Sequence, residues 1–198
     1  MKTINKISLA IGILLFSNSL HSQLNGGVFS GVTTSAVEIK HVDRGFTDVI
    51  NGNNIMGYEA GVFLKYKASS LYIKPMAIYN YQSGHVTYQG ETVSYTANKV
   101  GIPVLFGLNL VGPVSLEAGP VYNYLVDVTR DFEGQNTWNY GKNGLGYRAG
   151  LALDFGPLIL NASYEGMTYM NNTSQTQFRE PYKLIFGAAL KFGGGDQK

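Results

Sequence analysis

His41, His85 and Ser83 are the residues with which this chain could attempt hydrolysis or acyl transfer. That chemistry needs a histidine within hydrogen-bond reach of a serine, so that the hydroxyl can give up its proton as it attacks. Ser83 stands two residues before His85, in a polar stretch that reads as a loop, and i/i+2 side chains in a loop hold no fixed geometry. Asp43, Asp48, Asp131 and Glu133 are acidic but lack calcium-loop spacing, and they read as solvated charges. There is no cysteine, which excludes disulfides and thiolate metal or redox sites. No catalytic, metal or cofactor-binding residue is therefore assigned.

A second group of charges recurs in a pattern. Glu59, Lys65, Lys74, Glu117, Arg148, Asp154, Glu165 and Lys183 fall within strand-like runs that carry few charges. Four are acids and four are bases. They form candidate partners for one another rather than a site for an outside ligand.

The runs that carry them alternate with period two, which turns successive side chains to opposite faces of a strand. The last is the plainest. Over residues 181–192, Tyr182, Leu184, Phe186, Ala188, Leu190 and Phe192 share one parity, while Lys183 and Lys191 lie on the other. Similar runs are read at 24–37, 56–67, 71–82, 96–110, 114–126, 144–155 and 158–170, making eight strands. The run at 24–37 is the least regular, because Gly26, Gly27 and Gly31 interrupt it.

Short turns centre near Ser69, Gly112 and Gly156, at spacings of 112 − 69 = 43 and 156 − 112 = 44 residues. Longer polar segments at 38–55, 83–95, 127–143 and 171–180 read as loops. Trp138, with Phe132 and Tyr140, falls in the third of these, as a contact surface or as part of an aromatic belt. All turns lie at one end of the strands and all loops at the other.

Residues 1–22 stand apart. Lys2 and Lys6 precede the apolar run 7–16, and a polar stretch ends at Ser22, the plan of a cleaved signal peptide. Cleavage there leaves 198 − 22 = 176 residues, with 15 − 2 = 13 basic against 13 acidic side chains. A nearly neutral mature chain offers no basic field for nucleic acid. Beyond residue 22 no stretch reaches the 18 or so apolar residues of a membrane helix.

Alternation alone does not say which face is inside. In a soluble barrel the apolar parity faces inward, and in a membrane barrel it faces lipid. Here the less apolar parity is rich in Gly, Ala, Ser and Asn, and charged residues are only 14% of the chain, too few for an ordinary wetted surface. Aromatic residues on the apolar parity gather at strand ends. Tyr58, Tyr79, Tyr81, Tyr122, Tyr124, Tyr147 and Tyr182 lie toward the loops, and Tyr66, Phe155 and Phe192 toward the turns. Two aromatic girdles are the mark of a membrane span. The fold predicted is all-β, an eight-stranded antiparallel up-and-down transmembrane β-barrel of OmpA/OmpX-like architecture over 23–192, with a short tail at 193–198. The eight charges then face a narrow lumen as a structural network, since eight strands leave room for little more than side chains.

The segment 100–125 carries a resemblance. Ile102-Pro103 before a short turn, then Leu116-Glu117-Ala118-Gly119-Pro120 after it, is similar to the middle hairpin of the PorT-like outer-membrane β-barrel family of Bacteroidetes. The resemblance implies outer-membrane location, with outer-membrane lipid and the barrel insertion machinery as partners, and the residues themselves point to a non-enzymatic structural or interaction role. A partner outside the cell or in a secretion system, engaged through the loops, is implied as well. A small-solute channel and an accessory role in protein secretion are the alternatives, and a lipid-modifying enzyme the third. The tail beyond Phe192 departs from barrels that end on the terminal aromatic.

Overall fold

The computed structural model describes residues 24–43, 46–88, 91–130, 143–170 and 176–192. Among them eight strands run in sequence: β1 (Leu24–Asp43), β2 (Phe46–Ala68), β3 (Leu71–Tyr88), β4 (Glu91–Asn109), β5 (Val114–Arg130), β6 (Asn143–Asp154), β7 (Leu158–Met170) and β8 (Thr176–Phe192). Each pairs antiparallel with its neighbours, and β8 returns to β1, closing the barrel. The seam runs from Gly26 opposite Phe192 to His41 opposite Thr176. The signal peptide expected at 1–22 and the tail at 193–198 lie outside the described residues, as do Asp131, Phe132, Glu133, Trp138 and Tyr140.

The apolar parity faces outward. Val28, Val32, Val62, Leu64, Ile102, Phe106, Leu151, Phe186 and Leu190 are exposed, while Glu59, Lys65, Lys74, Glu117, Arg148 and Lys183 are buried in the interior. This inverts a soluble barrel. The molecule is a transmembrane barrel, its apolar surface suited to hydrocarbon and its polar groups satisfied within.

Both girdles stand at the expected heights. Toward the loops, Tyr58 stacks on Tyr81 with ring centroids 5.2 Å apart, and Tyr147 on Tyr164 at 6.1 Å. The hydroxyls there find partners on the wall. Tyr79 donates to Asn98 Oδ1 at 2.6 Å, Tyr122 to Asn143 Oδ1 at 2.9 Å, and Tyr164 to the Pro181 carbonyl at 3.0 Å. Phe155 and Phe192 mark the turn-side rim, both exposed.

The three turns fall where composition placed them. Ser69, Gly112 and Gly156 all have positive φ, at 61°, 60° and 86°. Each turn is also tied to the strand beyond it. Asn109 N–H donates to Ser70 O at 2.7 Å, Asp154 N–H to Pro113 O at 2.8 Å, and Lys191 N–H to Pro157 O at 2.7 Å.

The loop-side segments differ from the sequence reading. Much of 38–55 and 83–95 is strand: β1 and β2 remain paired to Asp43 opposite Phe46, and β3 and β4 to Tyr88 opposite Glu91. β5 runs on to Arg130, and β8 begins at Thr176. Above a bilayer both faces of a strand meet water, so pairing continues without the apolar parity that reveals it in sequence. Asn53 and Asn54, within the segment read as a loop, lie where the β1–β2 register shifts between Ser35/Ile55 and Val37/Gly52.

Candidate functional site

The lumen holds a stack of three layers, and its order can be read along single strands. On β2, Glu59 is followed by Phe63 and then Lys65; on β8, Lys183 by Ile185 and Ala189 and then Lys191; on β6, Arg148 by Ala152 and then Asp154. Ionic, apolar and ionic levels thus succeed one another from loop end to turn end.

The loop-side layer centres on Arg148. Its Nη1 and Nη2 donate to Glu59 Oε1 and Oε2 at 3.0 and 3.2 Å, and its Nε donates to Glu165 Oε2 at 2.7 Å. Lys183 Nζ lies 2.7 Å from Glu165 Oε1 and 3.7 Å from Glu59 Oε2. Four charges from β2, β6, β7 and β8 therefore bridge the barrel. The planar guanidinium can serve two carboxylates at once, a geometry that a lysine lacks. Beside this group Lys99 pairs with Glu180 and donates to Gln82 Oε1 at 2.8 Å, and Gln82 Nε2 donates to Ser35 Oγ at 3.2 Å. Three acids meet three bases, and the layer is neutral.

The middle layer is Phe29, Phe63, Met76, Ile78, Leu105, Ala152, Ile159, Ile185 and Ala189. Two rings lie flat on glycines. A Cβ on Gly27 would meet the Phe63 ring at 2.4 Å, and one on Gly187 the Phe29 ring at 2.5 Å. Gly27 of the irregular first strand thus makes room for one ring inside, and Gly187 of β8 for the other. The middle layer also adds an apolar level to the charged network expected in the lumen. The inward parity has hydrophobic residues at mid-height, where no water reaches them.

In the turn-side layer, Lys74 Nζ lies 2.6 Å from Glu117 Oε2 and Tyr72 donates to Glu117 Oε1 at 2.7 Å. Lys65 Nζ lies 2.9 Å from Asp154 Oδ2 and Lys191 Nζ 3.1 Å from Asp154 Oδ1. Lys65 sits over the Tyr72 ring, 4.1 Å from its centroid, which joins the two groups. The Tyr72 ring in turn lies on Gly107, where a Cβ would come within 2.0 Å of it.

All eight charges expected in the lumen are there: seven are buried, and Asp154 is partly open at the turn-side mouth. Lys67, on the same parity, is exposed because it lies at the end of β2 beside the turn. Three members were not counted in the expected network. Lys191 already stood on the parity of Lys183, and Lys99 shares parity with inward neighbours, so alternation could have found it too. Glu180 could not be found that way. Glu165 pairs with Lys183 but Met167 with Glu180, so the β7–β8 register shifts and parity on β8 reverses across the shift.

His41 and His85 lie in strands, correcting their loop assignment. His85 is in β3 and its ring is exposed, opposite the exposed Ser94 of β4, with the exposed Ser83 on the same strand. His41 and Asp43 are in β1 and Asp48 in β2.

By sequence, no family model and no curated protein matches this chain. Solved structures do. Neisserial surface protein A (NspA) is similar at a TM-score of 0.53 and 16% identity, over 83% of this chain and 97% of that one. OprG, an outer membrane protein from Pseudomonas aeruginosa, is similar at 0.51 and 13% identity, over 87% and 98%. The shared feature is the fold.

Two residues of the 116–120 stretch have a structural use in this barrel. Glu117 is the lumen carboxylate that holds Lys74 and Tyr72. Gly119 permits close strand approach, since a Cβ there would fall 2.0 Å from the Val104 carbonyl oxygen.

Proposed function

We propose that this protein is a non-enzymatic outer-membrane barrel of the PorT-like family, exported by a cleaved signal peptide. Its membrane body is a closed structural plug, and its loop-side crown is the part that meets partners. The observation that carries this reading is the lumen, filled in series by an ionic layer, an apolar layer and a second ionic layer. A hydrated ion would have to break a bridging guanidinium network and then cross an apolar septum. Outer-membrane lipid and the barrel insertion machinery are the partners that such a body requires. Any extracellular or secretion-system partner would meet the paired strands that continue past the tyrosine girdle. The likeness to NspA and OprG supports the location through the fold.

The test is conductance in planar lipid bilayers. The purified, folded protein is expected to give no unitary steps. Stable steps of uniform size would replace this reading with that of a small-solute channel.

A further inference from the structure

A charge imbalance that this reading does not use sets the turn-side mouth apart. The loop-side layer is neutral, but on the turn side of the septum the described residues carry Lys65, Lys67, Lys74 and Lys191 against only Glu117 and Asp154. The turns at 68–70, 110–113 and 155–157 hold no charged residue to restore the balance. Lys74 is matched by Glu117. Three ammoniums and one carboxylate remain at the mouth.

Asp154 cannot neutralise all three. Its Oδ1 accepts from Gly156 N–H at 3.1 Å, which holds the carboxylate against its own turn. Lys65 and Lys191 both reach its Oδ2, at 2.9 and 3.3 Å, so the two ammoniums stand side by side over one oxygen. An ammonium has three N–H donors, and both lysines keep at least one beyond those given to Asp154. Lys65 is buried, Lys191 is partly open, and Lys67 is exposed two residues further along β2. The cations thus lead from turn-side water into a mouth whose low-dielectric walls concentrate their field.

We propose that this mouth binds one phosphate dianion, free or as a phosphomonoester, from the turn-side water. Lys65 and Lys191 receive its oxygens, and Lys67 stands at the outer edge. Three observations select that chemistry. The excess of four bases over two acids is matched by a phosphate group, which carries about −1.5 to −2 at pH 7, and only half matched by a carboxylate or a phosphodiester. Adjacent ammoniums with spare donors suit an anion that has several oxygens, and lysine binds phosphate as a point charge. Asp154 and Lys191 are partly open at the mouth, whereas the apolar septum closes the lumen beyond, so the ligand arrives from water and stops there.

The test uses the full-length protein folded in non-ionic detergent, with isotope-labelled lysine side chains followed by NMR. It is titrated with inorganic phosphate, glycerol 3-phosphate and the diester glycerophosphocholine, at an ionic strength held constant with chloride. Phosphate is expected to saturate at one equivalent, moving the Lys65 and Lys191 signals and leaving those of Lys99 and Lys183 still. Saturation by glycerol 3-phosphate as well assigns the site to esters, and saturation by phosphate alone assigns it to the free ion. Lys191→Met should weaken binding roughly tenfold or more, the loss of one charge-assisted hydrogen bond. Lys67→Met, at an exposed position that folding does not need, should weaken it roughly two- to fivefold. Lys40→Met, the same change of charge at the loop end of β1, should leave it unchanged. A titration that never saturates, or equal weakening by Lys40→Met and Lys67→Met, overturns the site in favour of diffuse charge. Binding of the diester as tightly as phosphate overturns the dianion.

Discussion

Arg148 and Lys191 show how differently a lumen charge can matter within one barrel. Arg148 is buried and serves two carboxylates, whereas Lys191 is partly exposed at the mouth and shares Asp154 with Lys65. Arg148→Met leaves Glu59 and Glu165 with Lys183 as their one remaining ion-pair partner among the described residues, and stranding buried charge in this way costs about 3–5 kcal/mol. Lys191→Met leaves Asp154 its other partner, and a wetted pair contributes about 0–1 kcal/mol. Urea unfolding in detergent, followed by heat-modifiable gel migration, should separate the two by that margin. Equal losses would mean that the loop-side network is not the stronger one. At this scale the sequence was informative wherever parity held. Glu59, Lys65, Lys74, Glu117, Arg148, Glu165 and Lys183 are all buried where alternation placed them. Glu180 was hidden because a shifted register reverses which residues face inward, and nothing in composition marks the shift.

Turns and strands carry the next level of constraint. Gly112 has open space where a Cβ would go but a φ of 60°, so its requirement is conformational. Gly119 sits in a strand, and its requirement is room beside the Val104 carbonyl. Gly112→Ala should cost roughly 1 kcal/mol, and Gly119→Ala roughly 1–3 kcal/mol from overpacking. The same unfolding assay reads both, and a larger loss at Gly112 would contradict this division. Strand prolines follow a related rule. The β2–β3, β3–β4 and β4–β5 ladders each skip two pairs without changing register, and each gap includes Pro75, Pro103 or Pro120, which have no N–H to give. The membrane segments of the strands were legible because lipid outside and a filled lumen inside impose opposite preferences on the two faces. The extensions of β1 to Asp43 and β3 to Tyr88 were not, since water on both faces erases that contrast.

For the whole molecule, three layers in series mean that no single layer is the sole barrier. Phe63→Ala removes a ring from the septum and should cost about 3–5 kcal/mol of stability, yet the folded variant should still show no unitary conductance. Steps from that single variant would show that the septum alone closes the lumen. The layered plan was half visible in sequence. The charges announced themselves, but Met76, Ile78, Leu105 and Ile185 sat on the inward parity without suggesting a separate level. Only the paired register brings them to one height.

The bridging network also bears on how the barrel is made. Glu59 is on β2, Arg148 on β6, Glu165 on β7 and Lys183 on β8, while Lys99 on β4 takes its carboxylate from β8. Until the last strand arrives, Lys99 has Gln82 but no carboxylate and Glu165 has Arg148 but not Lys183, and the open sheet must keep the unmatched charge in water. Docking β8 against β1 supplies Lys183 and Glu180 together and removes the water in the same event. A sheet closed in the wrong register would leave charge unpaired inside, which costs several kcal/mol, so the lumen network favours the native seam over a slipped one.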